Sequence, residues 1–309
     1  MPAGSGNPAL WGLICATIAF LIWGLSPIYF KALSHVAPFE ILMHRMVWSF
    51  LFLLALVLKL GRWRTLIEVL KNHKTLGLLV VTTLLVGTNW FIFIWSISNN
   101  HILQASLGYY INPLVNVLLA MVFLGERLRR LQGASVVLAT AGVIYLTLTL
   151  GEFPWVSLTL AFTFAFYGLI RKVAPVSALE GLSIETLLLF APATGCLIYL
   201  DHMGLGAALR INRQTDLLLM ASALVTAVPL LLFTVGARKL TFVTIGFLQY
   251  IAPSATFLLA VFVYREPFST AQAITFIMIW SALALFSIDA IRTYRKSVTS
   301  NDANTGGLQ

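Results

Sequence analysis

The chain has 309 residues, of which 59% are hydrophobic and only 10% charged, with a formal net charge of +9. So little charge cannot solvate the surface of a water-soluble domain, and lipid must be the solvent for most of the chain. The basic excess does not point to nucleic acid, because the Lys and Arg residues fall in the short links between apolar runs.

Those runs have the length of about twenty residues that carries a helix across the hydrocarbon core. In chain order, spans are predicted over 9–29, 39–58, 76–97, 102–123, 132–150, 154–170, 182–200, 216–236, 242–263 and 271–289. They are continuously apolar, whereas a membrane β-barrel needs alternation, so the fold class is all-α. The first span lacks a preceding basic run and a following small-residue cleavage site, and is expected to be retained as a helix. Cys15 and Cys196 both lie inside apolar runs, which supports neither a disulfide framework nor a metal site; no cofactor is expected.

With the N-terminus in the cytoplasm, the inner links hold Lys59, Arg62, Arg64, Lys71, Lys74, Arg127, Arg129, Arg130, Arg171, Lys172, Arg238 and Lys239, and the tail adds Arg292, Arg295 and Lys296. The outer links hold Lys31, Arg210, Arg213 and Arg265. This asymmetry predicts that both termini are cytoplasmic and that the chain sits in a cytoplasmic (inner) membrane. The polar tail, 291–309, reads as disordered.

A self-match at an offset of 140 residues divides the chain. Tyr110-Ile111-x-Pro113, Leu118-Leu119-Ala120, Glu126 and Gln132 recur as Tyr250-Ile251-x-Pro253, Leu258-Leu259-Ala260, Glu266 and Gln272. Glu40 and Glu180 share the same offset, and Trp23-Gly24-Leu25 echoes Tyr167-Gly168-Leu169 at 144. Each copy holds five spans, an odd number, so the second is inverted relative to the first. The expected units are 1–150 and 151–290, giving ten transmembrane helices as two inverted five-helix repeats, the architecture of alternating-access carriers.

The stretch from Ser106 to Pro113 (SLGYYINP), the run from Glu40 to Ser49 (EILMHRMVWS), and Phe247 to Pro253 (FLQYIAP) with Tyr264-Arg265-Glu266-Pro267 resemble the RarD branch of the EamA-type drug/metabolite transporters. The resemblance runs from about residue 9 to 290. It implies a central cavity between two bundles and transport of a small organic metabolite or drug-like molecule, often outward. The branch also carries the label "chloramphenicol-sensitive protein", which describes a phenotype.

Ionisable residues inside spans cost about 2.5–3.5 kcal/mol at mid-membrane on insertion scales and are functional candidates by default. Arg45 lies in the second span and Glu185 at the matching position of the seventh. Inversion puts them on opposite sides of the midplane, ~12 Å apart along the normal. Arg45 is therefore read as an anion-binding charge in the outer half, or as a structural arginine bonded to helix ends or Glu40. Glu185 is read as a proton-accepting or cation-binding group in the inner half, or as an interhelical glutamate. His44, turned about 100° from Arg45, is a second proton-coupling candidate. Asn89, Trp90, Tyr110, Asn112, Tyr167, Gln249 and Tyr250 fall near mid-span, where amides and hydroxyls must face protein or a wet cavity. They are substrate-binding candidates, with interhelical packing as the alternative for each. Pro113 and Pro253 are candidate helix hinges or static kinks. Trp11, Trp63 and Trp155 suit the membrane interface. Small residues of the fifth span, including Ala139 and Gly142, suit close packing inside the bundle or in a homodimer.

No phosphate-binding GxxxxGK[ST] motif is present, which leaves secondary transport. An intramembrane enzyme is the alternative from another class, but H-E-x-x-H, G-x-S-x-G and metal-spaced carboxylates are missing. A sensor or scaffold would need more soluble surface than these links offer.

Overall fold

The computed structural model describes residues 8–98, 102–151, 153–265 and 269–305. Among the described residues there are helices and no strand. They are α1 (Pro8–Ala32), α2 (Pro38–Lys59), α3 (Trp63–Lys71), α4 (His73–Ser98), α5 (Ile102–Phe123), α6 (Arg130–Leu150), α7 (Trp155–Val173), α8 (Ala178–His202), α9 (Arg213–Lys239), α10 (Phe242–Leu248), α11 (Ile251–Leu258) and α12 (Thr270–Thr305), with a π-helical turn over Leu259–Val263. Nine of the described helical spans are long and apolar enough to cross a membrane, and α5 adds a shorter apolar segment, Leu107–Phe123.

Chain punctuation explains the helix ends. Pro38 opens α2 at a position whose N–H would be unpaired anyway. Asn212 and Thr241 cap α9 and α10 by accepting from the amides of Thr215 and Thr244. Gly151, with φ 72°, closes α6 in a left-handed conformation that a side chain would resist. Two elements depart from the sequence expectation. The link after α2 contains α3, a short amphipathic helix that buries Leu66 and leaves Trp63 exposed. Further on, α12 continues to Thr305, because extending a formed helix costs little beside nucleating one.

Let the first face be the end of the bundle where α1 begins and the second face the end where it finishes. The principal packing pairs are α1 with α9, α4 with α7, α2 with α9, α4 with α8, α5 with α7, α1 with α11, α2 with α8, α6 with α12 and α5 with α10. Exchanging α1 for α7, α2 for α8, α4 for α9, α5 for α10–α11 and α6 for α12 maps this set onto itself.

Single residues repeat the exchange. The Gln132 side chain accepts from the backbone N–H of Arg129 at 3.0 Å, and Gln272 accepts from that of Ser269 at 2.8 Å. Buried Glu40 holds the turn after α8 through the amides of Ala207 (2.7 Å) and Ala208 (3.3 Å). Buried Glu180 holds the turn after α2 by pairing with Arg62 at 2.7 Å. Glu126 accepts from the amides of Phe242 and Val243 at 2.7 and 3.0 Å, capping α10 across the boundary between halves. Its sequence counterpart, Glu266, lies outside the described residues. The α6–α12 contact uses the small residues: a Cβ on Gly142 would sit 3.3 Å from Met278, and Thr275 donates to the Gly142 carbonyl at 3.2 Å.

The continuity of α5 and the break between α10 and α11 separate the two prolines. Pro113 sits inside an unbroken α5. Pro253 has no N–H to offer the Gln249 carbonyl four residues back, and that carbonyl is served instead by Ala252 N at 3.3 Å. The helix turns there, at Gln249–Tyr250.

Candidate functional site

Arg45 stands seven residues into α2, ~10 Å from its second-face end at the rise of a helix. It is half-buried. Its Nε donates to Thr226 Oγ1 of α9 at 2.9 Å. Its guanidinium carbon lies 5.4 Å from the ring centroid of Phe30 on α1 and 5.3 Å from that of Trp90 on α4, both within cation–π range. Tyr29 of α1 and Tyr109 of α5 are within electrostatic reach. Five helices drawn from both halves therefore converge on this one charge. Tyr109 is 47% exposed although it faces the guanidinium and packs on Phe93 at 6.0 Å.

Glu185 occupies the exchange-related position on α8, seven residues in from the first-face end, and its surroundings are closed. Thr82 of α4 donates to Oε1 at 2.5 Å and Tyr167 of α7 to Oε2 at 3.3 Å. The Arg171 guanidinium lies 3.6 Å from Oε1, both side chains being essentially without solvent access. Arg171 also donates to the carbonyls of Ser177 (3.4 Å) and Ala178 (3.2 Å). It fits only because residue 181 is glycine: a Cβ there would sit 1.9 Å from Arg171 Nη1. Around this cluster the first face is interlocked. Lys172 donates to the last carbonyls of α9, those of Ala237 and Leu240, and Arg238 donates to the Val176 carbonyl. Cations are well placed on helix C-termini. A shallow groove of about 470 Å³ lined by Pro175–Ala178, Val235, Arg238 and Lys239 lies at this face, at the opposite end from Arg45.

The structure divides the sequence candidates. Arg45 and Trp90 meet; Glu185 and Tyr167 meet, in the other half of the bundle. Asn89 turns from its neighbour Trp90 toward α7, donating to the Leu160 carbonyl and Thr163 at 2.8 and 2.9 Å. Asn112 donates to the Ala161 carbonyl at 3.0 Å. Gln249 accepts from Asn116 at 2.5 Å where α5 crosses the α10–α11 break. Tyr250 is buried and donates to the Tyr110 carbonyl at 3.2 Å, while Tyr110 packs edge-on against Phe276. These four residues and Tyr110 therefore make interhelical bonds and core contacts, the packing alternative. His44 is buried with Nε2 3.7 Å from Glu40 Oε1, and among the described residues its ring nitrogens make no hydrogen bond.

Sequence reasoning missed Arg171, which counts as a link charge in the sequence and is fully buried in the fold. It also missed Thr82, Thr226, Phe30 and Gly181. A signal did exist for the two threonines: each is the only kind of neutral side chain in its helix turn able to bond an ion, on α4 and α9, which are exchange partners. Nothing in the sequence marks Gly181 as a niche for a guanidinium.

The sequence profile of the EamA-like transporter family matches residues 10–148. An uncharacterized transporter of Vibrio cholerae is 51% identical over 282 residues, covering 91% of this chain and 93% of that protein. Protein RarD of Escherichia coli is 45% identical over 294 residues, covering 93% and 97% of the two chains. One solved crystal structure is similar at a TM-score of 0.69 and 19% identity, covering 89% of this chain and 96% of that one, which speaks for the fold alone. Identity at this level along nearly the whole length, on a bundle of apolar helices, settles the family: the chain is a multi-pass membrane protein that belongs to the EamA-like transporter family, in its RarD branch.

Proposed function

We propose that this chain is a secondary carrier that moves a small organic molecule across the bacterial inner membrane by alternating access between two inverted five-helix repeats, 1–150 and 151–290. The basic links put the first face, with both termini, in the cytoplasm. The second face is then periplasmic, and in this reading the Arg45 region is reached from it. One observation carries this reading: groups from five helices of both halves converge on Arg45, while the exchange-related Glu185 is enclosed with Arg171 beside the ties of Lys172 and Arg238. A carrier must close one side when the other is open, and exchange-related packing supplies the second state at similar energy. Export and proton coupling through Glu185 or His44 belong to the same proposal.

The test is one-sided accessibility. In a variant lacking Cys15 and Cys196, Tyr109→Cys is exposed to a membrane-impermeant maleimide in intact cells and in inverted vesicles. Labelling from the periplasmic side, and little from the cytoplasmic side, is the expected result. Equal labelling from both sides would point to a channel, and none from either side would leave no substrate pathway there.

A further inference from the structure

We infer that the substrate is a soluble organic acid, held by the terminal nitrogens of Arg45 through its carboxylate; this rests on the carrier reading above. Within the bundle Glu40 is committed to the amides of Ala207 and Ala208, and Glu126 to those of Phe242 and Val243. Glu180 is committed to Arg62, Glu185 to Arg171, and Asp289 to Arg129 at 2.6 Å. Arg45 is left over. Among the described residues no carboxylate lies within ion-pair distance of it, and its one hydrogen bond, to Thr226, uses Nε.

A guanidinium at this depth is costly unless its charge is answered, and among the described residues it meets the ring faces of Phe30 and Trp90 and the Thr226 hydroxyl but no carboxylate. Thr226 engages Nε, so among the described residues the two terminal nitrogens have no hydrogen-bond partner. The two terminal nitrogens present the fork that matches a carboxylate in two parallel bonds. The Tyr109 hydroxyl, unbonded among the described residues and facing the same space, offers a further donor. The aromatic walls select an apolar, preferably flat, body behind the carboxylate. A cationic substrate would meet Arg45 as a like charge.

The test compares molecules of one shape and different charge. Phenylacetate, phenylacetamide and phenethylamine, with hexanoate and hexanamide as an aliphatic pair, are titrated into the purified full-length protein by calorimetry and thermal shift. The acids are expected to bind at least tenfold more tightly than their amides, and the amine not at all. Arg45→Gln should abolish this preference while Arg45→Lys keeps part of it, and both apo-proteins should melt as the parent does. Equal binding of acid and amide, or a preference that survives Arg45→Gln, overturns the inference and leaves the carrier reading intact. Silence from every acid overturns it as well. So does displacement of the acids by phosphatidylglycerol in nanodiscs but not by phosphatidylcholine, which would make a lipid phosphate the occupant. Failure of the carrier reading shows separately, as two-sided labelling of Tyr109→Cys.

Discussion

The Arg171–Glu185 pair is buried from both sides, so neither partner can turn to water when the other is lost. Removing one charge from such a pair costs about 3–5 kcal/mol, most of it the penalty of the charge left behind. Glu185→Gln is therefore expected to lower the thermal stability of the purified protein by an amount of that order, and the double variant Arg171→Met with Glu185→Gln to recover most of it. A melting series of the four proteins checks this; independent, additive losses would show that the two side chains do not depend on each other. At Gly181 the constraint is steric. The Ala variant places a methyl where Arg171 Nη1 now lies, and overpacking of this kind costs about 1–3 kcal/mol. Its melting temperature should fall, and should fall little when Arg171 is already Met. The sequence carries the depth of Arg45 and Glu185 and their separation, because depth follows from counting residues in from a helix end. It does not carry their partners, because a contact between helices depends on rotation and crossing angle. Arg171, seemingly a link charge, shows how two residues at a helix end can change from solvated to enclosed.

At the scale of single helices, apolar length alone is enough to place the spans. What hydropathy does not distinguish is an unbroken helix from a broken one. The predicted span 242–263 is in fact α10, a turn, α11 and a π-helical turn, whereas its repeat-mate α5 is unbroken through Pro113. The same proline gives different results because local partners decide where the freed carbonyl goes. The start of α10 rests on Glu126, a residue from the other half, which serves two N–H groups that the helix itself cannot satisfy. Glu126→Ala is expected to destabilise by about 1–2 kcal/mol, as loss of a helix cap does, and to speed amide hydrogen exchange at Phe242 and Val243. Exchange unchanged at those two amides would mean that the carboxylate is dispensable to the start of α10.

For the whole molecule, the carrier reading predicts that the balance between the two faces is adjustable from the first face. Lys172 and Arg238 tie α7, the α7–α8 turn and the end of α9 together without touching the Arg45 space. Replacing both with Met should release the first face, the cytoplasmic one in the proposed orientation. A Thr82→Cys probe in inverted vesicles is expected to react slowly with impermeant maleimide in the parent and several-fold faster in the double variant, with Tyr109→Cys labelling falling in step. Parallel increases at both probes would indicate loosening in place of exchange between two states. The repeat is legible in the sequence through Gln132 and Gln272, which do the same work on their helices. The asymmetry of charge at the exchange-related pair, Arg45 and Glu185, is also legible; the enclosure of Glu185 by a buried Arg171 is not.

The closed cluster has a consequence for how the chain enters the membrane. The window of α7 has a mean hydropathy of 1.3, the lowest of the nine spans, and it ends on Arg171, whose counter-charge is on α8. During synthesis Arg171 leaves the ribosome while Glu185 is still enclosed in it, so α7 reaches the translocon as a weakly apolar segment with an unanswered cation. It should settle into the bilayer only as a hairpin with α8. Nascent chains long enough to release α7 but not α8 from the ribosome are expected to hold α7 less firmly than chains that have released both, as read by arrest-peptide force profiles, and Glu185→Gln should delay that second pull.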